Sequence, residues 1–329
     1  MNEVPGTMQI LAVVVRYKTP LDCSETFLGI TKALQQNSEL ATAIRVFLWD
    51  NTPQGLEQPD LPAGFEYGHS GENLGVSGAY NRALEVAERY GCPWMLLLDQ
   101  DTSVTVEFLR RMLAYSKTLQ PTPEVGSIVP FVRSHGEWVS PRRLVSFNRV
   151  PLIDRSISGL YRGSGYGVNS GSLLRVSCLR EAGGFSEEFW LDLSDVYIFQ
   201  RLYERKRYMY IAGDVELQHA IAGMNFEQDM VPERYRTFLA AENVYMDMYQ
   251  SRFENAVQTV RLLLRTIRQL VQYRDKVYAT ITWHYFLSKL FVPRSRRLQH
   301  WREYLLEYRR IPSVSDRQAT LNAQRVSGA

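Results

Sequence analysis

Cysteine is scarce in this chain: Cys23, Cys92 and Cys178 are the only three in 329 residues, far apart and without a C-x-x-C pair. That count excludes a disulfide framework and a cysteine-rich zinc site, and it fits a reducing compartment. Excess charge is equally thin. The 38 Lys/Arg against 35 Asp/Glu leave a net +3, too little to argue for nucleic acid as a partner. No run of about 18 apolar residues occurs, so no membrane-spanning helix is expected. The first residues form no basic leader, and the apolar run 10–15 is short for a signal-peptide core. The expected location is cytoplasmic. Gly163, Gly165 and Gly167 do not spell G-x-G-x-x-G and no helix pattern follows them at once, which excludes a dinucleotide or P-loop reading. There is no internal repeat and no low-complexity tract.

What is present is an ordinary globular composition, 45% hydrophobic and 22% charged, long enough for one large domain or two moderate ones. "MQILAVVVRY" (8–17) is a continuous β-branched run of the kind buried in parallel sheets. Phe27, Ile30 and Leu34 then recur at helical spacing. "AIRVFLWDN" (43–51) reads as a second strand, "GFEYGHS" (64–70) as a third, and "PWMLLLDQD" (93–101) as a fourth. Helices are expected over 75–91, with Gly91 as its stop, and over 104–119. Alternation at these lengths predicts an α/β fold with a mostly parallel sheet.

In such sheets ligands bind beyond the carboxyl ends of the strands. Arg16/Tyr17, Asp50/Asn51 and Asp99/Asp101 each follow a strand directly and are therefore expected on one rim. Two carboxylates in Asp99-Gln100-Asp101 repel unless a cation joins them; a hard divalent ion would do so and leave positions for phosphate oxygens. The same D-x-D spacing also occurs in plain solvated turns. Asp50 and Asn51 ahead of Pro53 fit an Asx turn equally well. Beyond residue 125 shorter strands are expected ("VGSIVPFV", "RLVSFN"), then small residues leading into a helix with a Gly-Gly turn (165–185). A further helix spans 189–206 with Asp192 and Asp195 at its start, and a strand–turn–strand (208–223) holds His219.

The ordered blocks "VVVRYKTP", "FLWDNTP", "GENLGVSGAYNRAL", "LLLDQD", "GSLLRVSCLREAGGFSEEF" and "QHAIAG" resemble the inverting glycosyltransferases of family 2, with the GT-A fold: a Rossmann-like, mostly parallel sheet flanked by helices, here with a helical C-terminal extension. The resemblance covers about residues 8–225. "FWLDLSDVYIFQR" is closest to the rhamnosyltransferase-like members through its D-x-x-D. The resemblance implies a nucleotide-diphosphate sugar as donor, with Tyr17, Asp50, Asn73, Gly75 and Asp99 around it. It implies Mg²⁺ or Mn²⁺ on Asp99 and Asp101 with His219 as third ligand, and Gly171 and Ser172 bordering the acceptor. Asp195 matches the base that deprotonates the acceptor hydroxyl, with Asp192 in reserve. Ser194 and Tyr197 stand where family members commonly carry acids. Helix capping by Asp192 and Asp195, and a hydrogen-bonded buried imidazole at His219, are the plain structural readings of the same residues. Nucleotidyl transfer to a sugar phosphate and a non-catalytic binding or scaffold role are the competing functions. The first usually needs a glycine-rich loop after strand one, which "VVVRYKTPLDC" lacks.

By this reading residues 1–232 form the catalytic domain, 233–312 a helical region and 313–329 a disordered tail. Residues 251–312 hold 13 Lys/Arg against 4 Asp/Glu. Val260, Leu263/Leu264, Ile267 and Leu270/Val271 form an apolar stripe flanked by Arg261, Arg265 and Arg268. The aromatic segment 277–292 precedes "PRSRRLQHWR". Such helices serve an anionic membrane surface, the inner face of the plasma membrane, or pack on the catalytic domain or a second subunit in a homo-oligomer. The membrane reading fits a lipid-linked or glycan acceptor in cell-surface polysaccharide synthesis, and L-rhamnose from dTDP-rhamnose is the transfer the resemblance favours.

Overall fold

The computed structural model describes residues 8–55, 60–145, 150–219 and 230–310. These fall into two compact units: one of residues 8–190 and 194–219 with Arg309, the other of residues 191–193 and 230–308.

The strands of the first unit are β1 (Ile10–Arg16), β2 (Ile44–Asp50), β3 (Phe65–His69), β4 (Trp94–Asp99), β5 (Thr102–Ser103), β6 (Val125–Ser134), β7 (Glu137–Ser140), β8 (Arg142–Arg143), β9 (Gly159–Tyr161), β10 (Gly165–Tyr166), β11 (Leu173–Arg175) and β12 (Tyr208–His219). Its helices are α1 (Glu25–Gln36), α2 (Ser38–Ala43), α3 (Gly75–Arg89), α4 (Val106–Leu119), α5 (Val176–Ala182) and α6 (Ser194–Glu204). The main sheet runs β3-β2-β1-β4-β11-β6-β12-β5. The β3-β2-β1-β4 half is parallel, β11 is antiparallel to both neighbours, and β6–β12 is parallel again. The expected mixed architecture is thus present.

Local chemistry explains the elements. Every residue of β1 is buried, which a strand covered on both faces needs. Leu11, Val13 and Val15 join a core with Tyr80, Ala83 and Val86 of α3, Leu179 of α5 and Ile198, Phe199 and Leu202 of α6. Alternation sends Ile10, Ala12 and Val14, also fully buried, to the other face. Side-chain caps start three helices: Ser24 accepts from the Phe27 amide, Asn37 from Leu40 and Thr105 from Phe108. Gly183, at φ +86°, ends α5 in the left-handed conformation.

Two expectations change. The strand–turn–strand over 208–223 is one long strand, β12, whose pairing with β6 slips between Ala212 and Glu216. A bulge, not a turn, absorbs Gly213, Asp214 and Val215, and residues 220–223 lie outside the described residues. Of "RLVSFN" (143–148) only Arg143 pairs, opposite Gly165 of β10, and residues 146–149 are likewise outside the described residues.

The second unit consists of α7 (Pro232–Tyr249), α8 (Arg252–Gln272), α9 (Val277–Phe291) and α10 (Arg294–Arg310). Tyr235, Leu239, Leu262, Tyr278 and Ile281 form its apolar centre. Around that centre run polar links. Gln269 Nε2 donates to Tyr235 Oη (2.9 Å), Tyr235 Oη and Thr282 Oγ1 share a proton (2.7 Å), and Thr282 Oγ1 meets Gln269 Oε1 (2.7 Å). Arg265 grips Glu242 with two hydrogen bonds of 2.7 and 2.9 Å. Asp247 pairs with both Lys289 (2.7 Å) and Arg297 (2.8 Å). The tail 313–329 lies outside the described residues. No helix of the described residues is long and apolar enough to cross a membrane.

Candidate active site

Strand register assembles the rim. Arg16 sits opposite Asp50 in the β1–β2 ladder, and Val15 opposite Asp99 in β1–β4. At the far end of the sheet His219 of β12 pairs with Thr102 of β5, which carries the imidazole to the Asp-Gln-Asp turn.

Hydroxyls hold that turn. Thr26 Oγ1 accepts the Thr102 amide at 2.8 Å, and Ser24 Oγ donates to the Gln100 carbonyl at 2.8 Å. The Asp99 amide donates to Ser170 Oγ at 3.0 Å, and Ser170 Oγ in turn meets Thr102 Oγ1 at 2.5 Å. On this fixed turn Asp99 Oδ2 lies 3.4 Å from His219 Nε2, and Asp101 Oδ1 lies 3.4 Å from His219 Nδ1. Tyr80 Oη donates to Asp99 Oδ1 at 3.4 Å.

Electrostatics ties these groups together. Burial pulls the His219 pKa down, but Asp99 and Asp101 outweigh it and hold the pKa above the usual histidine value. Asp101 is raised by burial and by the charge of Asp99, with His219 opposing. The Tyr80 phenol is pushed well up by burial and by the charges of Asp99 and Asp195. Burial and Asp195 likewise raise Tyr166. Asp195 therefore acts on the same buried tyrosine as Asp99.

Whether the residues fit a divalent ion can be judged from these distances. The donor set is suitable, two hard carboxylates and an imidazole. As placed, no three His/Cys/Asp/Glu side chains among the described residues surround a single point that could hold a metal. The reason is that each ring nitrogen of His219 faces a different carboxylate, so the imidazole occupies the space between them.

The other expected residues fall as follows. Asp50 is fully buried; Arg16 Nη2 donates to its Oδ2 at 2.9 Å and Tyr67 Oη at 3.1 Å, while the Thr52 amide closes an Asx turn on Oδ1 at 2.9 Å. Tyr17, half-exposed at the end of β1, is anchored through its amide on Gln100 Oε1 at 2.8 Å. Asn51 takes Trp49 Nε1 (2.8 Å) and gives Nδ2 to the Gly75 carbonyl (2.9 Å), clamping the loop before α3. Asn73 Oδ1 accepts the Gly75 amide at 2.9 Å. Gly75, at φ +66°, passes so near Trp190 that a Cβ would stand 2.2 Å from its carbonyl oxygen. The Ser77 amide donates to the same carbonyl at 3.4 Å. The smallness of this loop thus serves packing on Phe189–Trp190.

Gly171 and Ser172 are buried against β4: the Gly171 amide donates to Leu97 O (2.8 Å), and Ser172 Oγ to Val168 O (2.6 Å). The neighbouring Ser170, not Ser172, turns its hydroxyl to the Asp-Gln-Asp turn, at the Asp99 amide and Thr102 Oγ1. Asp195 lies in the first turn of α6, where its Oδ1 accepts the Val196 amide at 2.7 Å. Asp192 instead has both oxygens held by Arg234 in the helical unit, so it is committed to an ion pair. Asn169 Nδ2 donates to Ser194 Oγ at 2.7 Å, and its Oδ1 is buried without a hydrogen-bond partner.

Comparison with known proteins bears on the fold. Residues 50–182 match the model of the family described as Glycosyl transferase family 2, a span that includes Asp50, Asn73, Asp99, Asp101 and Ser170. The solved structure of GalNAc-T7 with UDP, GalNAc and Mn²⁺ superposes with a TM-score of 0.54 at 10% identity, over 87% of this chain and 58% of that one. The S. aureus TarS 1–349 structure aligns over 95% of this chain and 92% of its own, at 14% identity and a TM-score of 0.49. A search of curated proteins found no match. The mixed sheet with flanking helices and C-terminal helices is the GT-A fold.

Tyr80, Ser170 and Thr26 were not singled out in the sequence, whereas Arg16 was expected on the rim but was given no partner there. Arg16 carried a signal, since a lone charge closing a β-branched run must find a partner or reach solvent. The others come from two helices, α1 and α3, and one loop, where nothing local marks them.

Proposed function

We propose that this chain is an inverting glycosyltransferase that moves a sugar from a nucleotide diphosphate to a hydroxyl. The observation that carries the reading is the meeting of Asp99, Asp101 and His219 at the strand ends, with Asp195 acting on the same buried Tyr80. Asp99, Asp101 and His219 are the residues that would hold Mg²⁺ or Mn²⁺, which when bound supplies positive charge to the departing diphosphate. Asp195 takes the proton of the acceptor hydroxyl. The orphan Oδ1 of Asn169 suits a hydroxyl donor of the bound sugar or acceptor. Asp50, held by Arg16, Tyr67 and the Thr52 amide, is the residue that a uracil or thymine ring would be read by, with Tyr17 near it.

The donor tried first is dTDP-rhamnose, with a lipid-linked or growing polysaccharide acceptor of cell-surface glycan synthesis. In this reading the described residues up to 219 do the chemistry and the helical region brings the chain to an anionic membrane. Supporting that, Leu290 and Phe291 at the end of α9 are exposed and are followed at once by exposed Arg294 and Arg296. The experiment is donor hydrolysis across a panel of nucleotide sugars, with and without EDTA. Metal-dependent hydrolysis of one donor is the expected result. Hydrolysis unaffected by EDTA removes the metal assignment, and neither binding nor hydrolysis of any donor removes the transferase reading. Release of pyrophosphate from a nucleoside triphosphate and a sugar phosphate would instead make the chain a nucleotidyltransferase.

A further inference from the structure

α8 is amphipathic with its apolar side outward. Its buried residues are Gln258, Leu262, Thr266 and Gln269, and both amide atoms of Gln258 are enclosed without a partner. The opposite face exposes Phe253 (77%), Val257 (38%), Val260 (57%), Leu264 (59%), Ile267 (51%) and Val271 (79%). A helix that turns polar residues inward and six large apolar ones outward has its more favourable burial still to come.

The spacing of the six says what covers them. They follow one another by 4, 3, 4, 3 and 4 residues, the 3.5-residue period of a seam that meets another helix along its length. A lipid surface takes a broad 3.6-residue face and imposes no such period. At 1.5 Å per residue the seam is about 27 Å long. Set out as heptads, Val257, Leu264 and Val271 occupy one core position and Phe253, Val260 and Ile267 the other. One flank is apolar (Ala256, Leu263, Leu270) and the other charged (Glu254, Arg261, Arg268).

We infer that α8 pairs antiparallel with α8 of a second copy of this chain. Charge decides the direction. In a parallel pair each charged flank would lie against the partner's apolar one, leaving Glu254 and Arg268 unmatched. In an antiparallel pair like flanks meet, so Glu254 faces Arg268 of the other copy twice over, and the apolar flanks widen the seam. Sizes match in the same arrangement. Phe253 layers with the other copy's Val271, Val257 with Ile267 and Val260 with Leu264, a palindrome about residue 262. Arg261 comes near its own counterpart at the two-fold axis; burial lowers its pKa, and Glu242 of its own chain only partly offsets that.

The test is self-association of the full chain by sedimentation velocity and light scattering across concentration, with Val260→Glu and Leu264→Glu as variants. Both positions are solvent-facing within one copy, so the variants stay folded. Their circular-dichroism spectrum and cooperative melt match those of wild type, with a melting temperature lower only by what the lost association contributed. The expected result is a two-chain mass for wild type and association on the order of 100-fold weaker in either variant, because each buries an unpaired charge. In a Cys23→Ser background, mixing Val257→Cys with Ile267→Cys chains should give mixed disulfides, whereas Val257→Cys alone should not cross-link. Self-linking by Val257→Cys would overturn the antiparallel pairing. A monomer at all concentrations, or a dimer indifferent to both glutamates, would overturn the interface. So would a wild-type monomer whose binding to anionic vesicles is lost in the glutamate variants, since that assigns the seam to membrane. None of these readouts involves sugar transfer, so the inference stands or falls apart from the proposed function.

Discussion

In β1 every residue is buried, and the one charge among them, Arg16, is matched at the strand end by the buried Asp50. In α8 the inward residues include three polar ones and the apolar stripe faces out. The α/β unit thus sets Arg16, Asp50 and Asp99 on one rim, where backbone register fixes their spacing. The helical unit buries ionic and amide groups in its middle, such as Asp247 between Lys289 and Arg297. The difference teaches where each kind of group acts. Charges at a strand end remain able to meet a ligand, whereas charges sealed between helices are consumed in holding those helices together.

If that division is right, the largest effect comes from the rim. Asp195→Asn should lower turnover by roughly 10²–10⁴-fold, the range for a general base, while calorimetric affinity for the nucleotide stays as in wild type. Asp192→Asn should cost turnover far less, because Arg234 holds both of its oxygens. Equal losses in the two variants would erase the distinction between rim and interior acids.

The interior counterpart is Asp247→Asn. It leaves Lys289 and Arg297 without their counter-charge in a site where Lys289 is 3% exposed, and a broken buried pair costs about 3–5 kcal/mol. The measurement is chemical denaturation, with nucleotide affinity as the control that should not move. Burial pushes the Asp247 pKa up, but hydrogen bonds from Arg297 and Lys289 outweigh it and leave the carboxyl below its ordinary value. Lys289 is pulled down, since burial exceeds what the shared carboxylate restores. A depressed folded-state pKa for Asp247 gives stability that is complete above the unfolded carboxylate value of about 4 and is lost as pH falls through the folded one. Wild type should therefore lose stability on acidification through that window, and the slope should flatten in Asp247→Asn.

The same contrast governs how much could be read from the chain. Strands β1, β2 and β4 were legible because continuous apolar runs permit little else, and their ends then placed Arg16, Asp50 and Asp99 on one rim. His219 was legible only as a candidate, since its place beside Asp101 depends on β12 running on through a bulge. For α8 the stripe could be seen but not the side of the helix it takes. That depends on Tyr235 and Thr282, distant in sequence, completing a polar circuit with Gln269. Gly75 was expected around the donor, and the space a side chain there would fill is occupied by Trp190. Gly75→Ala tests this: a Cβ 2.2 Å from the Trp190 carbonyl at a φ of +66° should cost about 3 kcal/mol. The loss should appear in thermal melting even without any ligand. A variant that melts like wild type but binds nucleotide poorly would return the loop to the donor site.

The smallest expected effect belongs to Thr26→Val, a change of nearly equal shape that removes one hydroxyl. Thr26 Oγ1 accepts the amide of the buried Thr102 at 2.8 Å and also lies 3.0 Å from the Thr102 carbonyl. Losing it strands a buried N–H, at about 1–2 kcal/mol. The hydroxyl's other work is to hold the turn that presents Asp99 and Asp101, so the cost should fall unevenly. Nucleotide affinity measured with Mn²⁺ should drop several-fold, while affinity without the ion stays level, because only the former needs both carboxylates in register. A uniform loss in both conditions would mean that Thr26 supports the sheet in general rather than the carboxylate pair, and the rim would then owe its geometry to strand register alone.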